Sequence, residues 1–247
     1  MTFQVLCYIK RMKKQDIIKN NTINNESDFN LKLEDETLYL VKESENSSIC
    51  VDFTSSKALK RINEPGILKQ DICKAIGFNK SKDLTILDAT AGLGRDSLIF
   101  ASITTKSVTM LERNPTSFAL LENGLVRLVK ADDNSQLQEI SKKLSLNNID
   151  AAEFLASTTD KFDVIYLDPM FSQEGQKKSA KVKKEMAFFH QTVGNDEDSD
   201  KLIDLALNKA NKRVVVKRHI KAPYLNDKKP SLEFKGKTNR FDVYIIN

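Results

Sequence analysis

One stretch of the chain decides the fold: Thr85-Ile86-Leu87-Asp88-Ala89-Thr90-Ala91-Gly92-Leu93-Gly94-Arg95-Asp96. An apolar, β-branched run ends in a carboxylate, passes through two glycines and enters a segment, 97–101, that favours a helix. A strand, a glycine-rich turn and a helix in this order are typical of an open α/β sheet, in which the turn offers backbone N–H groups to a ligand. The third glycine of a dinucleotide fingerprint is missing, and a turn of this kind also closes ordinary strand–helix connections.

Outward from this turn, apolar strands alternate with helices of amphipathic spacing. This alternation predicts a parallel sheet with right-handed crossovers. An antiparallel pair closes the chain. The predicted strands are Leu84–Asp88, Ser107–Leu111, Leu146–Ile149, Phe162–Leu167, Arg213–Lys217, Leu232–Lys235 and Arg240–Ile246.

Residues 1–56 are predicted to form a small N-terminal β-rich unit, and residues 57–247 the main α/β domain. Segments 31–33 and 37–41 alternate like a β-hairpin, and 3–9 and 48–53 are predicted as further strands. Residues 67–76 have the spacing of a helix that ends at Gly77.

Composition excludes several kinds of chemistry. The three cysteines are scattered, which argues against a disulfide framework or a zinc site, and the two histidines lie in no ligand-like or triad-like context. No apolar run is long enough to span a bilayer and no secretory signal is recognised, so we expect a cytoplasmic protein without membrane or metal partners. The net charge is +5, with basic residues concentrated in the last third, which favours a polyanionic partner.

Carboxylates follow successive predicted strands at Asp88, Glu112, Asp150 and Asp168. The carboxyl ends of parallel strands line one crevice, although any single carboxylate there is commonly a helix cap. Glu112 lies 20 residues beyond Gly92, a separation at which an acidic residue reaches a ribose. Because a full phosphate-binding glycine set is missing, an adenosine cofactor without a pyrophosphate is favoured, and S-adenosylmethionine fits that description.

The segment Asp168-Pro169-Met170-Phe171 follows the apolar strand 162–167. Methyl transfer to an exocyclic amine needs hydrogen-bond acceptors that orient the –NH2 group and a flat apolar surface for the base. Asp168 and the Pro169 carbonyl supply the acceptors, and Phe171 supplies the stacking surface. An Asp-Pro turn without chemistry is the alternative interpretation of this segment.

Several strings of the chain resemble the bacterial RsmJ family, whose members are guanine-N2 methyltransferases of small-subunit ribosomal RNA. The tetrapeptide itself is similar to the Asp/Asn-Pro-Pro-aromatic signature of amino-methyltransferases, with Met170 in place of the second proline. The resembling strings lie at residues 88–96, 110–115, 166–171, 182–186, 212–218 and 240–244.

The resemblance implies a class I S-adenosylmethionine-dependent methyltransferase: a Rossmann-like, mostly parallel seven-stranded sheet with an antiparallel last strand, plus the small N-terminal unit. It implies cofactor contacts at Arg95-Asp96, Glu112-Arg113, Asp150-Ala151 and Asp168, beside the turn residues Asp88, Gly92 and Gly94. It also implies 16S ribosomal RNA or the small ribosomal subunit as partner. The phosphate contacts that we expect are Lys177, Lys181, Lys184, Lys217 and Arg218.

Three alternatives stay open at this point. The tetrapeptide also suits an amino-methyltransferase that acts on adenine N6 or on a protein glutamine. A non-catalytic RNA-binding protein on the same fold is a second alternative. A nicotinamide-dependent oxidoreductase is the third, although no phosphate-binding signature supports it.

Overall fold

The computed structural model describes residues 29–169 and 199–246. Within these ranges three strands form a small antiparallel sheet, namely β1 (Phe29–Glu34), β2 (Thr37–Lys42) and β3 (Ser47–Ile49). The predicted hairpin is present with Glu34 opposite Thr37. The strand predicted at 3–9 lies outside the described residues.

Helices cover both faces of a larger sheet. In the described part of the chain they are α1 (Ser56–Ile62), α2 (Asp71–Ile76), α3 (Arg95–Ile103), α4 (Pro115–Val129), α5 (Ser135–Ser141), α6 (Ala151–Ser157) and α7 (Ser199–Lys209). Residues of α3, α4 and α5 belong to the apolar cluster on one face, and residues of α6 and α7 to the cluster on the other. With both faces covered, the central strands β4, β5 and β7 are mostly apolar, as expected of strands buried on both sides.

The larger sheet has seven strands within the described ranges, in the order β6-β5-β4-β7-β8-β10-β9, and β10 runs antiparallel to both of its neighbours. This arrangement confirms the predicted class I methyltransferase fold. The chain crosses from one side of β4 to the other between β6 and β7, so the carboxyl end of β4 is the switch point where such sheets bind ligands. The strands are β4 (Ile86–Asp88), β5 (Val108–Leu111), β6 (Leu144–Asn147), β7 (Phe162–Leu167), β8 (Ala210–His219), β9 (Leu232–Lys235) and β10 (Asn239–Ile245).

The small sheet packs against α4. Leu38 and Leu40 are each 1% exposed and belong to the same apolar cluster as the core of the larger sheet. The Leu38 amide donates to Asn123 Oδ1 at 3.0 Å, so a polar contact joins β2 to α4 as well. The division of the chain at residue 56 stays a prediction.

Several boundaries differ from the prediction; the strand predicted at Arg213–Lys217, for example, spans Ala210–His219. The helix predicted over 67–76 is a 3-10 turn, Ile67–Lys69, followed by α2, because Gln70 between them is extended with ψ 144°. The strand predicted at 146–149 begins at Leu144, where its register against β5 pairs Val108 with Leu144. The strand β6 ends at Asn147, which pairs with Leu111, and the next residues lead into α6. No helix in the described ranges has the length and apolarity needed to traverse a membrane.

Gly94 is the position in the turn where a side chain fits least. Its φ is +70°, and a Cβ there would lie 2.6 Å from Leu121 Cδ1 and 2.9 Å from Phe53 Cζ. We expect Gly94→Ala to reduce the free energy of unfolding by about 2–4 kcal/mol, because left-handed strain and overpacking add.

Gly66→Ala is the matched control for this substitution. Gly66 has φ +81°, but its Cβ would meet only Lys69 Cδ, at 3.7 Å. We expect a loss of about 1–2 kcal/mol from strain alone. Urea unfolding measures the free energy of unfolding of both variants. Equal losses would show that Leu121 and Phe53 accommodate the added Cβ without destabilising the fold.

Candidate active site

The loops that follow β4, β5 and β7 meet at the carboxyl edge of the larger sheet. The Ala89 amide donates to the Tyr166 carbonyl and the Ala91 amide to the Leu111 carbonyl, each at 3.0 Å. The segment after β4 is thus hydrogen-bonded on one side to β7 and on the other to β5. These contacts bring the glycine turn and the Asp168 segment to one edge, as the strand pattern predicts.

Glu112 and the glycine turn are in direct contact. The Gly92 amide, where φ is +56°, donates to Glu112 Oε2 at 2.9 Å, and the Asn114 amide donates to Oε1 at 2.7 Å. Glu112 is 7% exposed. Two backbone donors therefore fix the carboxylate at the mouth of the turn, which is where a ribose-binding acid would stand.

Asp150 and Ala151 lie at the start of α6. Asp150 is the helix cap, and its Oδ1 accepts from the Ala152 amide at 2.8 Å. Arg113 Nη1 lies 3.4 Å from Asp150 Oδ2. The predicted cofactor contacts Glu112-Arg113 and Asp150-Ala151 are therefore in contact with each other. Ala151 is 9% exposed.

Asp168 immediately follows β7, and its backbone is tied to the glycine turn. The Asp168 amide donates to Thr90 Oγ1 at 2.6 Å. Its side chain is 38% exposed, and Pro169 beside it is buried. Phe171 and the predicted phosphate contacts Lys177, Lys181 and Lys184 lie outside the described residues.

Asp96, in the first turn of α3, collects three donors. The Tyr166 hydroxyl and the Lys217 ammonium donate to Oδ2 at 2.8 and 3.0 Å, and Arg61 Nη2 donates to Oδ1 at 2.7 Å. The sequence analysis did not identify Tyr166, Thr90 or Arg61 as site residues. Burial by itself raises the pKa of Asp96, but the cations of Lys217 and Arg61 outweigh it, so the pKa lies below its ordinary value.

Lys217 and Arg218 contact other groups of the protein. The Lys217 ammonium lies between Asp96 and Asp168, 2.7 Å from Asp168 Oδ2. Arg218 is 5% exposed, and its Nη2 donates to the Pro223 carbonyl at 2.8 Å. Both side chains are engaged within the protein, and their assignment as phosphate contacts stays a prediction. Arg95 at the start of α3 is exposed.

Asp88 supports the turn from beneath. It is 1% exposed, Ser97 Oγ donates to its Oδ2, and the Thr90 amide donates to Oδ1 at 3.3 Å. Burial, opposed by these hydrogen bonds and reinforced by the charge of Asp96, raises the pKa of Asp88 to about 7. The predicted cofactor contact at Asp88 would therefore be indirect, through the shape of the turn.

This shift makes stability depend on pH. The folded protein holds the Asp88 proton up to about pH 7, whereas the ordinary value is 3.8, so stability falls as pH rises between these values. We expect the free energy of unfolding of the native chain to fall relative to that of Asp88→Asn by up to about 1.4 kcal/mol per pH unit between pH 5 and 7. Urea titrations at both pH values measure this difference, and parallel pH dependences would contradict it.

The carboxylates at this edge of the sheet fit a cationic nucleoside. Acidic side chains of Glu112, Asp150, Asp96 and Asp168 stand along one sheet edge, around a turn whose glycines have positive φ. Carboxylates accept hydrogen bonds from sugar hydroxyls and balance a positive charge. No cluster of three or more histidine, cysteine or acidic side chains suited to a metal ion occurs among residues 29–169 and 199–246.

Comparisons with known proteins show the family of the chain. The model of the SAM_MT family of SAM-dependent methyltransferases matches residues 12–246. Proteins named ribosomal RNA small subunit methyltransferase J from Vibrio parahaemolyticus and Pseudoalteromonas translucida are 46% and 44% identical, and each alignment covers 89% of this chain and 87% or 86% of the relative.

A solved structure shares the fold over nearly the whole chain. It is a SAM-dependent methyltransferase from Neisseria gonorrhoeae, with a TM-score of 0.70, 34% identity and coverage of 94% of this chain and 90% of the other. The chain is therefore an S-adenosylmethionine-dependent methyltransferase that belongs to the SAM_MT family and to its ribosomal RNA small subunit methyltransferase J (RsmJ) branch.

Proposed function

We propose that this enzyme methylates the exocyclic N2 of a guanine in 16S ribosomal RNA, within the small ribosomal subunit or its precursor. The observation that carries this proposal is the 2.6 Å hydrogen bond from the Asp168 amide to Thr90 Oγ1, which holds the amine-orienting segment against the glycine turn. The names of the relatives support ribosomal RNA as the substrate. The basic character of the last third of the chain supports a polyanion as well.

Each side chain has a distinct task in this proposal. S-adenosylmethionine, when bound, supplies an electrophilic methyl group. Glu112 would accept hydrogen bonds from the ribose hydroxyls, because its carboxylate is already fixed beside the turn by the Gly92 and Asn114 amides. Asp150 and Arg113 would border the adenine, and Arg95 and Asp96 lie where α3 begins.

The acceptor amine would be oriented by Asp168 and Pro169. The Asp168 carboxylate and the Pro169 carbonyl would each accept a hydrogen bond from one N–H of the amine. These two hydrogen bonds would direct the nitrogen lone pair at the methyl carbon. Asp168 need not remove a proton beforehand, since the amine is nucleophilic when neutral and loses its proton to water during or after transfer. Stacking of the base on Phe171, and phosphate contacts by Lys177, Lys181 and Lys184, remain predictions.

The test is the identity of the methylated nucleoside. The protein and radiolabelled S-adenosylmethionine are incubated with small subunits that lack the modification and, separately, with the naked RNA. We expect label in N2-methylguanosine at a single position after digestion. Label in N6-methyladenosine or in protein would contradict guanine as the substrate, and the ratio of the two substrates shows whether the assembled subunit is needed.

A further inference from the structure

A line of alternating charges crosses the site. Arg61 on α1 pairs with Asp96 Oδ1 at 2.7 Å, Asp96 Oδ2 pairs with Lys217 at 3.0 Å, and Lys217 pairs with Asp168 Oδ2 at 2.7 Å. The Asp96 and Lys217 side chains are only 13% and 23% exposed. Two cations and two carboxylates thus balance one another. The inner pair is largely shielded from water, whereas the Arg61 and Asp168 side chains at the ends are 40% and 38% exposed.

Lys217 is held at this position by the sheet. Leu167 pairs with Val216 in the parallel register of β7 and β8, so Lys217 stands next to Asp168 on the neighbouring strand. Strands hold side chains more rigidly than loops do, and two carboxylates from different elements fix the ammonium from both sides. The Asp168 backbone is separately fixed by Thr90.

The ammonium remains charged throughout the physiological range. Burial by itself lowers the pKa of Lys217, but the carboxylates of Asp168 and Asp96 raise it well above its ordinary value. The other ionisable groups around it are Tyr166 on β7, Arg61 on α1 and Asp88 on β4. Burial and the charge of Asp96 also raise the pKa of Tyr166, so that hydroxyl stays neutral.

We propose that Lys217 is a positioning residue, whose ammonium holds the Asp168 carboxylate in a fixed orientation toward the acceptor amine. Asp96 is the second anchor that keeps Lys217 in place. This inference rests on the proposed function, because it assigns Lys217 a task only through the role of Asp168. It replaces the phosphate contact that the sequence suggested for this residue.

The decisive variant is Lys217→Met, which removes the charge and preserves much of the side-chain volume. We expect kcat to fall at least about 30-fold, while the KM for RNA and the dissociation constant of S-adenosylmethionine change less than about threefold. Lys217→Arg keeps a cation and is expected to recover a large part of the activity.

Lys212→Met is the matched control. Lys212 lies on the same strand and pairs with Asp163 of β7 at 3.0 Å, at the opposite end of both strands. We expect this variant to keep the native kcat. Thermal melts of all three variants, together with Lys217→Gln as a second neutral substitution, separate loss of activity from loss of fold.

The outcomes are distinct. Native kcat in Lys217→Met or Lys217→Gln overturns the inference, as does a rise in the KM for RNA at constant kcat, which would restore the phosphate role. A parallel loss of thermal stability, cofactor affinity and kcat without recovery in Lys217→Arg also overturns it. The proposed function fails separately, if the native protein does not methylate guanine or if Asp168→Ala keeps full activity.

Discussion

Asp168→Ala is expected to lower kcat at least about 1000-fold while leaving most of the affinity for S-adenosylmethionine. The substitution removes the carboxylate that would orient the amine. It retains the Asp168 amide, and with it the 2.6 Å contact to Thr90 that ties this segment to the glycine turn. Lys217 loses one carboxylate and keeps Asp96, so its charge remains partnered.

Steady-state kinetics with RNA and calorimetry with S-adenosylmethionine test both halves of this prediction. Asp163→Ala is a suitable control, because Asp163 also lies on β7 but pairs with Lys212 and Thr85 at the far end of the strand. We expect near-native kcat in that variant. Full activity in Asp168→Ala would remove this residue from the mechanism.

Glu112→Ala is expected to weaken S-adenosylmethionine binding by about 30- to 100-fold, which corresponds to the loss of hydrogen bonds to a charged group. Two effects act together. The ribose loses its acceptor, and the Gly92 and Asn114 amides lose the carboxylate that holds the turn in shape. The variant is expected to fold, since the apolar strands below the turn are untouched.

Calorimetry measures the affinity directly, and Glu112→Gln separates the two effects. Glutamine keeps one oxygen for a backbone amide but carries no charge, so we expect an intermediate dissociation constant. Glu153→Ala, an exposed acidic residue of α6, is expected to bind as the native chain does. An unchanged dissociation constant in Glu112→Ala would refute the ribose role.

The sequence was most informative where local patterns decide structure. Short apolar runs, typical of buried strands, indicated the positions of β4, β5 and β7. The fold class that they predicted is confirmed. The separation of Gly92 and Glu112 indicated that they lie close, and they share a hydrogen bond. Strand register depends on pairing with a distant segment, and for that reason the start of β6 was misjudged.

The different roles of the strand-end carboxylates could not be predicted, because they depend on how deeply each side chain is buried. Asp88 is the last residue inside β4 and is buried, whereas Asp168 lies one residue beyond β7 and is partly exposed. Asp150 lies three residues beyond β6 and caps α6. Glu112 also lies one residue beyond its strand but is 7% exposed, so position along the strand does not by itself decide exposure.

The contacts of Arg61 were similarly hidden, because the Arg61–Asp96 pair joins α1 to α3 across 35 residues without any periodic pattern. The position of Lys217 depends on the parallel register of β7 and β8, which pairs Leu167 with Val216 and contains an irregularity between Phe162 and Val164. The basic composition of the surrounding segment favoured a phosphate contact.

The most direct measurement is a crystal structure of the protein with S-adenosylhomocysteine. We expect ribose hydroxyls within hydrogen-bond distance of the Glu112 carboxylate and a sulfur atom that faces Asp168 and Pro169. A nucleoside bound away from the Gly92–Gly94 turn, or a sulfur atom directed away from Asp168, would contradict the account.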